Sequence, residues 1–108
     1  MTRGTILLTS LEKQVERILK ELGIEYISQY PTHSGFIIDF VIPGKMIAIE
    51  VDGDAWHNSK KAKKKDRFKD YQLEREGWKV IRIKEKNVNR NYLINKLMNL
   101  KNKNNGNT

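Results

Sequence analysis

Two short apolar runs joined by a tight turn constrain this chain more than any other feature. Ile37-Ile38-Asp39-Phe40-Val41 leads into Pro43-Gly44, then Ile47-Ala48-Ile49-Glu50-Val51-Asp52-Gly53, with Trp56-His57 just beyond. Both runs are rich in β-branched residues and apolar at successive positions, the pattern of strands covered on both faces. Asp39, Glu50 and Asp52 interrupt them. A carboxylate among aliphatic side chains costs several kcal/mol unless it is paired.

A loop of two or four residues pairs Val41 with Met46 and Asp39 with Ala48. It then lays all three acids on one face, with Glu50 diagonal to Asp39. A loop of three residues would turn Asp39 to the other face. Carboxylates gathered this way repel one another unless a divalent cation sits between them. Magnesium suits oxygen ligands and keeps several waters. Without a cation, Asp52-Gly53 is a turn and Glu50 pairs with a lysine.

The rest of the chain alternates helix and strand signals. Thr9 is a candidate N-cap with Glu12 at the capping-box position, and Leu11, Val15, Ile18, Leu19 and Leu22 follow at helical spacing up to Gly23. Ile24 to Tyr30 alternates as a strand closed by Pro31, and Asp52 to Ser59 reads as a loop. Lys60 to Glu76 is a lysine-rich helix stopped by Gly77, and Trp78 to Ile83 is a strand. Asn89 or Arg90 to Leu100 is a last helix with Tyr92, Leu93, Leu97 and Leu100 as its stripe. The order α-β-β-β-α-β-α predicts a single α/β domain over residues 1–100, with a mixed sheet of about four strands flanked by helices. Residues 101–108 are low-complexity and read as a disordered tail.

Composition narrows the class. The 108 residues allow one core, and 21 Lys and Arg against 13 Asp and Glu give a net charge of +8. Such an excess favours a polyanionic partner, nucleic acid first, with solubility alone as the plainer explanation. The absence of cysteine excludes disulfides, Cys-ligated zinc and thiol catalysis. No apolar run approaches the ~20 residues that cross a bilayer, and Ile6-Leu7-Leu8 is too short for a signal peptide. A cytoplasmic chain with no membrane partner is expected.

Several residues carry chemistry with a plainer alternative beside it. His57 follows Asp52 by five positions, and imidazole titrates near neutrality, so it can move a proton; a lone loop histidine is more often just solvated. Asp66 and Asp70 lie one turn apart on the lysine-rich helix and can orient an imidazole or pair with nearby lysines. Glu12 by position alone only closes a capping box. Lys60, Lys61, Lys63, Lys64 and Lys65 form the densest positive run, either a solvated face or a track that lays a phosphate backbone across the site. Trp56 is a wedge against bases or a core residue.

These stretches resemble the very-short-patch repair endonucleases of the PD-(D/E)XK restriction-endonuclease-like superfamily. Thr9-Ser10-Leu11-Glu12-Lys13 is similar to that family's opening helix, and Ile38-Asp39-Phe40-Val41 to its metal-binding strand. Glu50-Val51-Asp52-Gly53 with Trp56-His57 is similar to its next strand. Asp66, Leu73, Gly77-Trp78-Lys79-Val80 and Arg82 are similar to its closing helix and strand. The set Glu12, Asp39, His57 and Asp66 also resembles the EDxHD motif of phage and intron-associated homing endonucleases. The likeness spans Thr9 to Ile83.

The resemblance implies a magnesium-dependent DNA endonuclease, with manganese able to substitute. Asp39 would be the first metal ligand, Glu50 or Asp52 a second acid, and the backbone carbonyl near Val51 a further donor. His57 would serve as general acid or base, Asp66 would fix its tautomer, and Glu12 would hold a water or a second ion. It also implies a catalytic domain separated from its DNA-recognition part, or one that works with a dimer partner. Three departures stand out. The repair enzymes use cysteine for structural zinc, so zinc is not expected here. Asp52 stands where that family has a first histidine. It also stands where the superfamily has a lysine, whose role falls to a metal, to His57 or to a lysine from elsewhere. Two other readings remain: a non-catalytic basic module that binds nucleic acid through the Lys60 to Lys65 face, and a subunit that docks on a larger enzyme through the Leu-rich last helix.

Overall fold

Helix α1 (Ser10–Glu21) starts on a complete capping box. The Glu12 N–H donates to Thr9 Oγ1 at 3.1 Å, and the Thr9 N–H donates to Glu12 Oε1 at 3.0 Å. Its stripe sinks Val15 and Leu19 fully into the core. The helix ends in a Schellman motif: Gly23, at φ +71°, donates to Lys20 O, and Ile24 donates to Leu19 O, both at 3.0 Å. Ile24 therefore folds back onto the core with the helix end. This is why strand β1 (Ile27–Pro31) begins three residues later than the alternation suggests.

The computed structural model describes residues 8–53 and 60–106. Strands β2 (Ile37–Ile42) and β3 (Ile47–Asp52) are joined by a 3₁₀ turn, Pro43–Lys45, with Met46 at φ +54°. Ile42 pairs with Ile47, Val41 with Ala48 and Phe40 with Ile49. The register is displaced by two residues from the expected Val41–Met46 pairing, because the 3₁₀ turn and the left-handed Met46 take up the connection. An even displacement preserves facing for the paired residues Phe40, Val41 and Ile42. β3 continues through Asp52, which the sequence reading had placed in a loop.

Helix α2 (Lys60–Arg75) crosses over from β3 to β4 (Lys79–Lys84), which lies parallel to β3. The sheet order is β1-β2-β3-β4, with β1–β2 and β2–β3 antiparallel. Pro31 sits on the edge strand β1, where a missing N–H is tolerated. Helix α3 (Arg90–Gly106) starts from Asn89, whose Oδ1 accepts the Tyr92 N–H at 2.8 Å. It stays helical six residues into the stretch that low complexity marks for disorder.

Helices cover both faces, as two-sided apolar strands require. Val15 and Leu19 of α1 and Leu93 of α3 pack with Phe40, Ile49 and Ile83 on one face. On the other, Leu73 of α2 and Trp78 pack with Ile38, Val41 and Ala48. The result is the expected α/β domain with a mixed four-stranded sheet. Among the described residues, no helix is long and apolar enough to cross a membrane.

The end of α2 repeats the first helix's device. Gly77, at φ +101°, donates to Glu74 O and Trp78 donates to Leu73 O, both at 3.0 Å. Trp78 thereby tucks under the helix it follows, so β4 opens at Lys79. An added Cβ at Gly77 would meet only Met46 Cε, at 3.6 Å, so the constraint is the backbone itself. Gly77→Ala should lower stability by about 1–2 kcal/mol, read from chemical denaturation, with fold and oligomeric state unchanged.

Candidate active site

The site begins where β2 and β3 part. Their pairing runs from Ile42 and Ile47 to Phe40 and Ile49, and the next opposed residues are Asp39 and Glu50. There the side chains take over from the ladder. The Val51 N–H donates to Asp39 Oδ2 at 2.8 Å, and the Asp39 N–H donates over a long 3.4 Å to Glu50 Oε2. The alternation breaks at the same point. Ile38 and Val41, three apart, share the cluster beneath α2, although strict alternation would separate them. Asp39 therefore stands directly across from Glu50 rather than diagonal to it.

Each neighbouring acid has a cation. Glu50, 5% exposed, accepts from Lys69 Nζ at 2.7 Å, and the same ammonium donates to Ile37 O at 2.8 Å. Asp52, 8% exposed, accepts from Arg82 Nη1 at 2.7 Å. Arg82 is the partner of Glu50 in the β3–β4 register, so it lies on the same face. Its guanidinium also binds Asp70 through two nitrogens, Nε at 2.8 Å and Nη2 at 2.7 Å, and stands 3.7 Å from Asp66 Oδ1. Asp66 and Asp70 are thus tied to β4 through Arg82.

These contacts set the electrostatics. Burial pushes the Asp39 carboxyl up to about 7, and the Glu50 charge pushes it the same way; the Val51 N–H opposes both, and Glu12 adds to the rise. Burial also raises Glu50, and Lys69 pulls it back. Around Arg82, burial opposes the charge, but its bonds and proximity to Asp70, Asp52 and Asp66 outweigh that and hold the guanidinium more basic than usual.

Glu12, Asp39, Glu50, Asp52, Asp66, Lys69 and Arg82 all line one cleft of about 550 Å³. The sequence candidates Glu12, Asp39, Glu50, Val51, Asp52 and Asp66 are therefore brought together from two helices and two strands. Lys60, Lys61, Lys63, Lys64 and Lys65 are exposed on the first turns of α2. His57 and Trp56 lie outside the described residues. Two cleft residues were not among the sequence candidates, Lys69 and the clamp function of Arg82. For Lys69 the signal was present: Asp66, Lys69, Asp70 and Leu73 recur at i, i+3, i+4 and i+7, the inward stripe of a helix.

Comparison with known proteins agrees with this fold. The REase_MTES_1575 family matches residues 11–99. The solved structure of the homing endonuclease I-Bth0305I catalytic domain superposes with a TM-score of 0.65 at 29% identity, over 85% of this chain and 92% of that one. No curated protein matches the sequence. The matched span takes in the cleft acids and the sheet that splits to hold them, and the chain belongs to the REase_MTES_1575 family of restriction-endonuclease-like nucleases.

Proposed function

We propose that this chain is a divalent-metal-dependent DNA endonuclease, the catalytic domain of a homing-type enzyme occupying residues 1–100. It would act inside the cell, with DNA recognition supplied by another region or a dimer partner. One observation carries the reading: Asp39 and Glu50 meet in the gap between β2 and β3, and Asp39 holds its proton to about pH 7. A carboxyl raised by burial and a neighbouring acid is a site whose negative charge lacks compensation. A cation supplies it. The likeness to a homing endonuclease catalytic domain supports the substrate class.

The donor set fits a hard cation. Asp39 and Glu50 offer carboxylate oxygens and Val51 a backbone carbonyl, the ligand type that magnesium prefers, with manganese as a substitute. Among the described residues, no three acids or histidines are already gathered at metal-binding distance. Glu12 is turned back on the Thr9 N–H, and Asp52 is held by Arg82. Glu50 is also paired, with Lys69, but it alone touches the Asp39 amide, which favours it over Asp52 as the second acid and leaves the remaining positions to water. A bound divalent ion polarises a phosphate oxygen and makes water more acidic.

The chain's own residues do the rest. Lys69 neutralises one Glu50 oxygen and holds that side chain in place. His57 would carry the proton between the attacking water or the leaving oxygen and solvent, and Asp66 on α2 would orient the ring. Glu12 would bind a water at the cleft mouth. Lys60, Lys61 and Lys63 open α2 at the positive end of its backbone dipole, with no acid in the first turn. That arrangement costs a few tenths of a kcal/mol per lysine unless an anion lies nearby, and a phosphate backbone is such an anion.

Supercoiled plasmid should be nicked or linearised with magnesium and spared in EDTA. Asp39→Asn should bring cleavage to background, and His57→Ala should slow it by about 10²–10⁴-fold while the fold persists. Salt-sensitive DNA binding with no cleavage in any divalent ion would instead identify a basic binding module. A second test uses the Asp39 proton. Between its ordinary value of 3.8 and about 7, the folded chain holds a proton that the unfolded chain has released. Metal-free stability should therefore fall as pH rises through that window. Urea midpoints in EDTA at about pH 5 and about pH 8 should show a shallower decline for Asp39→Asn than for wild type.

A further inference from the structure

Helix α2 has a second, outward face that the cleft does not use. Lys64, Phe68, Tyr71 and Arg75 follow one another by four, three and four positions, one stripe of a helix. Phe68 is 59% exposed and Tyr71 56%. The stripe is ordered by contacts between its members. Phe36, from the β1–β2 connection, stands edge-on to Phe68 with ring centroids 6.3 Å apart, and the Arg75 guanidinium lies 5.7 Å over the Tyr71 ring. Ile37, beside Phe36, is also exposed.

This aromatic wall adjoins the cleft through one side chain. Lys69 Nζ donates to Ile37 O on the wall side and to Glu50 Oε1 on the cleft side. Charge decides what the wall would bind. Lys64 and Arg67 are exposed beside the rings, on a chain of net charge +8. A two-fold contact between copies would set this lysine-rich helix against itself. A polyanion would neutralise it. Aromatic faces interleaved with cations suit one kind of polyanion best: the rings stack on unpaired bases while the cations hold phosphates. A closed duplex keeps its bases stacked on each other and has no free face to offer.

We propose that the Phe36–Phe68–Tyr71 wall stacks unpaired bases, and that the preferred substrate is DNA that is single-stranded or locally opened beside the scissile phosphate. The proposal rests on the nuclease reading of the cleft and adds the state of the substrate to it.

The test is fluorescence anisotropy of the full chain in EDTA, with a labelled single strand of roughly 20 nucleotides and the matching duplex. Wild type should prefer the single strand. Phe68→Ala/Tyr71→Ala removes two exposed rings and should keep the circular-dichroism melt of wild type. It should weaken single-strand binding by ~10-fold or more and collapse the preference over duplex, whereas Phe68→Trp/Tyr71→Trp should retain it. An unchanged preference, or a parallel loss on both probes, overturns the proposal. So does a wild-type dimer in sedimentation that the double alanine variant dissolves, which would make the wall a contact between copies. A wild type that nicks plasmid with magnesium yet shows no single-strand preference overturns the wall and leaves the nuclease reading standing. One that neither binds nor cuts overturns both.

Discussion

The structure turns on a sheet that opens. At Asp39 and Glu50, two antiparallel strands exchange backbone pairing for carboxylate contacts, so that each acid takes an amide of the facing strand. Backbone amides must be satisfied wherever they are buried, and a carboxylate can satisfy one while keeping its second oxygen for something else. That substitution makes a cleft at the edge of a packed core without leaving an orphaned buried side-chain atom among the described residues. The cost is charge held out of water. It shows in the raised Asp39 and Glu50 carboxyls and in the ammonium of Lys69 placed against Glu50.

Arg82 is the second tie. One guanidinium on β4 reaches Asp52 on β3 and both Asp66 and Asp70 on α2. Hydrophobic contact beneath α2 is concentrated at Leu73 and Trp78, near the far end of the helix. The end nearer the cleft is held to the sheet by ions instead. A buried pair of this kind adds little net stability compared with a well-packed apolar contact, but breaking it leaves charges stranded. What it adds is position: a planar fork fixes the direction from which α2 approaches, and with it the placement of Asp66 and Lys69 over the cleft.

The same helix separates two kinds of surface. Its inner stripe of Asp66, Lys69, Asp70 and Leu73 completes the cleft and the core, while its outer stripe presents cations and rings to solvent. An acidic cleft on a strongly basic chain resolves the conflict a nuclease faces. Phosphate must be attracted over a distance, yet the proposed site is lined by Glu12, Asp39, Glu50, Asp52 and Asp66. Under the function proposed above, cations on the surrounding surface would attract the backbone, and a divalent cation in the cleft would let the last few ångströms be crossed.

The sequence by itself determined the elements, the two-sided covering of the sheet and the α1 capping box. Each depends on neighbours a few residues away: hydrophobic period, cap chemistry and the twofold alternation of strands. The start of β1, the start of β4 and the β2–β3 register each shifted by one to three residues, because Schellman closures and a 3₁₀ turn consumed positions that alternation had assigned to strands. Only the tertiary structure decided that Lys69 answers Glu50 and that Arg82 gathers Asp52, Asp66 and Asp70. Those pairings join residues 12 to 30 positions apart across a crossover. Composition supplies 21 cations for 13 acids, and the angle at which α2 lies on the sheet selects among them.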